Sequence, residues 1–228
     1  MKFLLTNDDG IDAPGLAALQ EAVAGLGEVA TVAPSTHVSG CSHQVTTHQP
    51  LRIAVRGAAQ FAVEGTPADC VRVALHSLVP DVAWILAGVN AGANLGADVY
   101  MSGTVAAVRE AVLHGRPGIA VSQYIKRNKP VDWRQTAHWL APLLRELVTQ
   151  AWTPGVLWNI NLPHLEPGDA SPPAVLCPLD PHPLPVQFRR DGDLLHYEGN
   201  YHGRSRVEGA DVDVCFQGKI AVTRLSLV

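Results

Sequence analysis

Asn7-Asp8-Asp9-Gly10 follows the apolar run Phe3-Leu4-Leu5 and sets two neighbouring carboxylates beside a glycine that permits a tight turn. Adjacent anions repel unless a positive charge lies beside them. A hard divalent cation is the simplest compensation, because Mg²⁺ and Mn²⁺ prefer oxygen ligands. Asp and Asn are also ordinary turn formers, so the pair alone reads equally as a solvated turn. A second cluster, Asn90-Ala91-Gly92-Ala93-Asn94-Leu95-Gly96-Ala97-Asp98, continues through Ser102-Gly103-Thr104 into a helical pattern. Its small residues let backbone N–H groups approach an anion, and the helix start adds a positive dipole, so the loop suits a phosphate. Asn94 and the hydroxyls of Ser102 and Thr104 offer further donors, although the two hydroxyls would also serve as helix caps. The loop lacks the Gly-Lys-Ser/Thr ending of a P-loop and the spacing of a dinucleotide fingerprint, so neither an ATPase nor an NAD enzyme is indicated. A third polar stretch, Pro34 to His43, carries Ser39 as a weak oxygen ligand; His37 and His43 within it read as ordinary surface histidines.

These residues need a scaffold that brings distant segments to one edge. Residues 2–6 read as a strand, 15–26 as a helix and 28–33 as the next strand. Thr66-Pro67-Ala68-Asp69 has the form of a helix start, with Thr66 as N-cap, and the helix runs to Leu78. Asp81 to Val89 is a continuous apolar run that ends at Asn90, as expected of a strand buried on both faces. A helix over 104–114, a strand over 118–122, a helix over 132–150 and a strand over 156–162 follow. Alternation of this kind predicts a mostly parallel sheet covered by helices, with Asp8, Asp9 and Asn90 at the carboxyl ends of strands where such sheets bind ligands. Trp133 and Trp139, at helical spacing, read as core or subunit contact rather than as a platform for a base. From 164 onward prolines become frequent, and β-like pieces near 173–178, 186–198 and 212–226 suggest hairpins in an extension used for subunit contact. The chain shows no repeats and no low-complexity tract.

The bulk composition narrows the function classes. The 228 residues are 47% hydrophobic and carry a formal charge of −4, which fits a globular chain without the basic field that polynucleotide binding uses. A long nucleic acid is not an expected partner. The N-terminal apolar stretch is too short for a signal peptide and no segment reaches membrane-spanning length, so neither export nor a membrane is expected. The four cysteines, Cys41, Cys70, Cys177 and Cys215, are scattered without a CxxC pair and read as reduced thiols of a cytoplasmic protein.

Three blocks together, Asn7-Asp8-Asp9-Gly10, Ser39-Gly40-Cys41-Ser42 and Gly88-Val89-Asn90 through Ser102-Gly103-Thr104, resemble the SurE family of survival-protein nucleotidases. Gly65-Thr66-Pro67-Ala68-Asp69-Cys70-Val71 fits the same pattern, and the likeness spans roughly residues 1–163, to Asn159-Ile160-Asn161-Leu162-Pro163. The sequence departs from it at His37-Val38, where a longer polar side chain commonly precedes the serine, and matches loosely after 180, most clearly at Gly218 to Thr223. The resemblance implies a Rossmann-like three-layer α/β sandwich with a C-terminal β-hairpin extension. One SurE-like domain would span 1–228, with the core at 1–163 and the extension at 164–228. It further implies one divalent metal ion per subunit, Mg²⁺ or Mn²⁺, held at Asp8, Asp9, Ser39 and Asn90. Asn94, Ser102, Gly103 and Thr104 would bind phosphate. The implied substrates are 5′- and 3′-nucleoside monophosphates, with short polyphosphate besides, and the implied assembly is a homodimer or homotetramer with exchanged C-terminal segments.

The expected reaction is direct hydrolysis, in which a metal-activated water attacks phosphorus while the phosphate loop holds the group in line. Asp8 and Asp9 are both candidates to orient or deprotonate that water, and sequence does not choose between them. A rival is an aspartyl-phosphate enzyme, although the adjacency of the pair argues against it. A rival from another class is a metal-independent nucleotide sensor; two carboxylates without a cation would repel its phosphate. Tyr201, His202 and Arg204 would reach a neighbour's site if C-terminal segments are exchanged.

Overall fold

The computed structural model describes residues 1–126 and 129–227; positions 127, 128 and 228, which the single-domain expectation spans, lie outside the described residues. The first half of the chain alternates strand and helix in the order β1 (Lys2–Thr6), α1 (Pro14–Ala22), β2 (Glu28–Pro34), β3 (Ile53–Gly57), β4 (Gln60–Val63), α2 (Pro67–Val73), β5 (Trp84–Ala91) and α3 (Gly103–Leu113). It continues with β6 (Gly118–Gln123), α4 (Trp133–Leu147), β7 (Val156–Leu162), β8 (Ala174–Leu176), β9 (Phe188–Asp191), β10 (Leu194–Tyr197), α5 (Asp211–Phe216) and β11 (Ile220–Ser226).

Nine strands form one sheet in the order β3-β4-β2-β1-β5-β6-β7-β11-β8. The central pairs are parallel, while β3 runs antiparallel to β4 and β11 antiparallel to β7. From β1 the chain builds one half of the sheet through β2 and β4 and the other through β5, β6 and β7. The order therefore reverses between β1 and β5, and a crevice opens at their carboxyl ends. Strand side chains alternate between faces. Phe3 and Leu5 pack with Leu16 and Leu19 of α1 and Trp139, Leu140 and Leu144 of α4. Leu4, between them, turns to the opposite face with Val71 of α2 and Val105 and Val108 of α3. The expected three-layer α/β architecture with a mostly parallel sheet is the one observed.

Local signals set several boundaries. At the start of α2, Thr66 Oγ1 accepts from the Asp69 N–H at 3.1 Å and the Asp69 carboxylate accepts from the Thr66 N–H at 3.0 Å, a reciprocal capping box. A π-helical turn, Ala74–Leu78, carries this helix to its expected end. Helix α1 stops at Ala22, short of the expected 26, and Gly25 then takes a φ of +81° that turns the chain toward β2.

The extension departs from its expected form. The segment 186–198 is a hairpin, β9–β10. The stretch 212–226 is not: Asp211–Phe216 is helix α5, and only the following residues form strand β11. Asp211-Val212-Asp213-Val214 alternates as a strand would, but helical winding buries Val212, Val214 and Cys215 together against Leu95 and Ala221, and tertiary burial decides so short a segment. Strands β8 and β11 add to the main sheet rather than pairing as a hairpin of their own. The β3–β4 hairpin at the far edge was not expected; β3 is exposed along most of its length and has no apolar alternation to mark it.

Candidate active site

The turn after β1 is preorganised by Asn7. Its amide donates to the Gly10 carbonyl at 2.8 Å and its side-chain oxygen accepts from the Gly10 N–H at 3.2 Å, while Gly10 takes a φ of +104°. Asp8 and Asp9 are thereby presented at the mouth of the crevice. Asp8 points inward and is 3% exposed, with Oδ1 accepting from the Thr104 hydroxyl at 2.5 Å. The N-terminus of α3 closes on it: a Cβ on Gly103 would lie 3.0 Å from Asp8 Oδ2, so only glycine lets the helix approach this carboxylate. Asp9 lies nearer solvent; its Oδ2 accepts from the Ala91 N–H at 3.1 Å, and Oδ1 lies 3.2 Å from Nδ1 of His37.

Burial raises the pKa of Asp8, the hydrogen bond from Thr104 opposes the rise, and the neighbouring Asp9 charge adds to it. An ionised Asp8 therefore wants a positive charge beside it. The donor set fits a hard cation: two carboxylates, the Asn90 carbonyl oxygen and the exposed Ser39 hydroxyl, all oxygens. Asn90 donates its amide to the Gly92 carbonyl at 2.7 Å, which leaves its Oδ1 without a partner among the described residues. Oxygen donors of this kind are what hard ions prefer, whereas softer ions favour nitrogen and sulfur; among the described residues no group of three or more His, Cys, Asp or Glu side chains stands close enough to hold a metal.

One cavity of ≈ 230 Å³ gathers Asp8, Ser39, Asn90, Asn94 and Ser102, five of the expected site residues. Gly103 and Thr104 lie just behind Asp8. Ser102 caps α3 by accepting from the Val105 N–H at 3.1 Å, which leaves its own proton free for a ligand. Thr104, expected among the phosphate donors, is fully buried and places its hydroxyl proton on Asp8. Asn94 donates one amide N–H to Ser122 at 2.7 Å, and its backbone is gripped by Asn159 and Asn161 of β7. Asp9 lines a second cavity, of ≈ 380 Å³, rather than the first, together with His37 and Trp133. Ala91 lines both.

The loop carrying Ser39 is pinned along its length. Val38 N–H donates to the Asp8 carbonyl at 2.8 Å, Ser42 Oγ to the Tyr100 carbonyl at 2.8 Å, and Thr46 to Asp69 through both its backbone N–H and its hydroxyl. His43, read from sequence as an ordinary surface residue, lies 2.7 Å from the buried Glu110 of α3. His114 and Arg72 reach the other oxygen of that carboxylate at 3.0 and 3.3 Å. Burial opposes ionisation of Glu110, but the hydrogen bonds from His43 and His114 outweigh it and hold the pKa below its usual value. A carboxylate depressed in this way stabilises the fold above its unfolded pKa, and that stabilisation is lost as pH falls through the folded pKa. Glu110→Gln should therefore cost about 1–2 kcal/mol at pH 7 and progressively less below pH ~4. Urea midpoints of both proteins from pH 7 to pH 3 check this; parallel curves would rule the linkage out.

Sequence reasoning did not find what holds the phosphate loop from the C-terminal side. Asp98 accepts from the Leu95 N–H at 3.2 Å, the Tyr201 hydroxyl at 2.7 Å and Arg204 Nη1 at 3.0 Å. Arg204 Nη2 donates to the Leu95 carbonyl at 2.8 Å, and the buried Asp211 accepts from the Gly96 N–H at 2.8 Å. Within the single chain, Tyr201 and Arg204 contact residues 95–98, and His202 Nδ1 lies 2.8 Å from the Tyr124 hydroxyl. The alternation Asn159-Ile160-Asn161 was the one local signal available, since it turns both amides to one face of β7.

Comparison with known proteins shows the family and agrees with the fold. The Survival protein SurE family matches residues 3–177. A relative from Nostoc sp. (strain PCC 7120) is 51% identical over 225 residues, covering 99% of both chains. Proteins named 5′-nucleotidase SurE from Geobacter sulfurreducens and Paramagnetospirillum magneticum are 37% and 34% identical, covering 100% and 99% of this chain and 88% and 89% of their own. The crystal structure of the SurE protein from Aquifex aeolicus superposes with a TM-score of 0.89 at 29% identity, covering 100% of this chain and 94% of that one.

Proposed function

The chain belongs to the SurE family, and from that premise we propose that it is a metal-dependent phosphomonoesterase, hydrolysing nucleoside 5′- and 3′-monophosphates to nucleoside and phosphate. The observation that carries the reading is the convergence at one strand crossing of a buried and a partly buried carboxylate, Asp8 and Asp9, with the N-terminus of α3. Asp8, Asp9, Asn90 and Ser39 would hold one Mg²⁺ or Mn²⁺. That ion would supply Lewis-acid chemistry, acidifying a water and offsetting charge on the phosphoryl group.

The chain's own groups do the positioning. Ser102 and the Gly103 N–H at the start of α3 aim donors and a positive helix end at the phosphoryl oxygens, and the second amide N–H of Asn94 adds a donor from the opposite wall. Thr104 fixes the rotamer of Asp8, so that its free oxygen faces the cavity. Asp9, nearer solvent, is the carboxylate better placed to orient the attacking water, and His37 beside it can relay the proton outward. Short polyphosphate, with terminal oxygens like those of a monoester, fits the same subsite.

The reading extends to partners and place. Hairpin β9–β10 exposes Phe188, Leu194, Leu195 and Tyr197, a surface that a second subunit would cover in a homodimer or homotetramer. Among the described residues no helix is long and apolar enough to cross a membrane. Four free cysteines suit the reducing cytoplasm.

The test is phosphate release from a panel of 5′- and 3′-nucleoside monophosphates with Mn²⁺ or Mg²⁺, with and without chelator, in wild type and Asp9→Asn. Turnover that needs the metal and falls by at least ~10²-fold in the variant is expected. No release from any nucleotide with either ion would leave a nucleotide-binding sensor as the better account.

A further inference from the structure

We propose that the cavity beside Asp9 receives the nucleoside half of the substrate, with the indole of Trp133 as the platform on which the base stacks. The identity of the occupant rests on the nucleotidase reading; the shape and chemistry of the cavity do not. Its volume of ≈ 380 Å³ exceeds that of the phosphate cavity, and its walls include Ile11, Pro14, Thr36, His37 and Trp133. Ala91 lines both cavities, and Asp9, whose carboxylate accepts from the Ala91 N–H at 3.1 Å, lines this one, so a ligand with its phosphoryl group near Ser102 would extend past Ala91 into this space.

Trp133 is held for the purpose. It opens helix α4, whose N-cap Asp132 accepts from the N–H groups of Arg134 and Gln135 at 3.1 Å. Its indole lies against the start of α1, where a Cβ on Gly15 would meet Cη2 at 3.3 Å. Trp139, one and a half turns further along α4, is buried in the core, whereas Trp133 is only partly buried, packing against that core with the rest of its surface on the cavity wall. The lining also favours an uncharged group over a further phosphate, which makes short polyphosphate the poorer of the proposed substrates. Asp9 and Asp12 contribute carboxylates, and among the described residues no Lys or Arg lines the space. An uncharged group with hydroxyl donors and a flat aromatic face suits such walls, and a nucleoside has both.

Stacking on an aromatic face discriminates weakly among bases, since every base has a π-face, and purines with the larger face gain more. The experiment compares adenosine 5′-monophosphate with ribose 5-phosphate in wild type, Trp133→Ala, Trp133→Leu and Trp133→Phe, alongside calorimetric binding of adenosine. The preference for the nucleotide over the sugar phosphate in kcat/KM should fall roughly tenfold in the Ala and Leu variants, mainly through KM, and survive largely in Phe. Adenosine affinity should weaken by a similar factor. Leu keeps the apolar bulk at the helix start, so it decides the matter if the Ala variant does not fold. An unchanged preference in Leu, or equal loss on both substrates, would overturn the proposal. If wild type releases phosphate from neither substrate, the nucleotidase reading fails on its own. Adenosine then judges Trp133 alone: weaker binding in Leu than in wild type supports the platform, and equal or absent binding in the two overturns it.

Discussion

Asp8→Asn should reduce phosphate release by about 10³-fold while leaving the protein folded and, without divalent ion, no less stable than wild type. The two effects have one physical origin. Asp8 is 3% exposed, and burial with Asp9 alongside raises its pKa. A carboxyl whose folded pKa exceeds its unfolded value contributes stability that is full below the unfolded pKa and is lost as pH rises through the folded one. Ionising Asp8 with no cation beside it therefore costs stability. Asparagine keeps the oxygen that accepts from Thr104 and removes the charge, which offsets a cost on the order of 1 kcal/mol. The charge is what a cation would use. Thermal unfolding with and without Mn²⁺ separates the cases: at about 100 times its Kd the ion should stabilise wild type by about 2.7 kcal/mol and the variant far less. A variant that keeps its turnover, or gains as much from Mn²⁺ as wild type does, would remove Asp8 from the metal site.

The residues in that prediction were the legible part of the chain. Asp8, Asp9 and Asn90 stand at strand ends because apolar runs, glycines and caps are local signals. A parallel sheet converts strand ends into one edge whatever the intervening sequence. The Thr66–Asp69 capping box is likewise written within four residues. What stayed hidden was pairing at long range. His43 and Glu110 are 67 positions apart, and nothing around either announces the other. Trp133 and Trp139 share a helical pattern, yet one is partly buried and lines a cavity while the other is buried in the core, a distinction that periodicity does not carry. Helix α5 shows the opposite failure, since an alternating local pattern gave way to burial against Leu95.

The second large effect comes from this hidden set. Arg204→Ala should cost about 3–5 kcal/mol, because it removes one partner of a buried ion pair and leaves the other uncompensated. The Arg204 side chain is 2% exposed. One guanidinium nitrogen meets Asp98 at 3.0 Å and another meets the Leu95 carbonyl at 2.8 Å, with the plane 5.0 Å from the Tyr201 ring centroid. Lysine offers all its donors from one nitrogen, whereas Arg204 meets its two acceptors from two, so Arg204→Lys should recover only part of the loss. A functional consequence follows from position. The segment clamped at Leu95 and Asp98 begins one residue after Asn94, and release of that clamp would misplace a donor of the phosphate cavity. Where the variant remains folded, kcat should fall roughly tenfold. Urea unfolding of Arg204→Ala, Asp98→Asn and the double variant should show a coupling energy of about 1–3 kcal/mol between the two residues. Stability lost with kcat unchanged would mean that the C-terminal segment supports the fold without setting the phosphate loop. A loss below ~1 kcal/mol would mean that solvent replaces Arg204 with little penalty, and the clamp would then carry neither role.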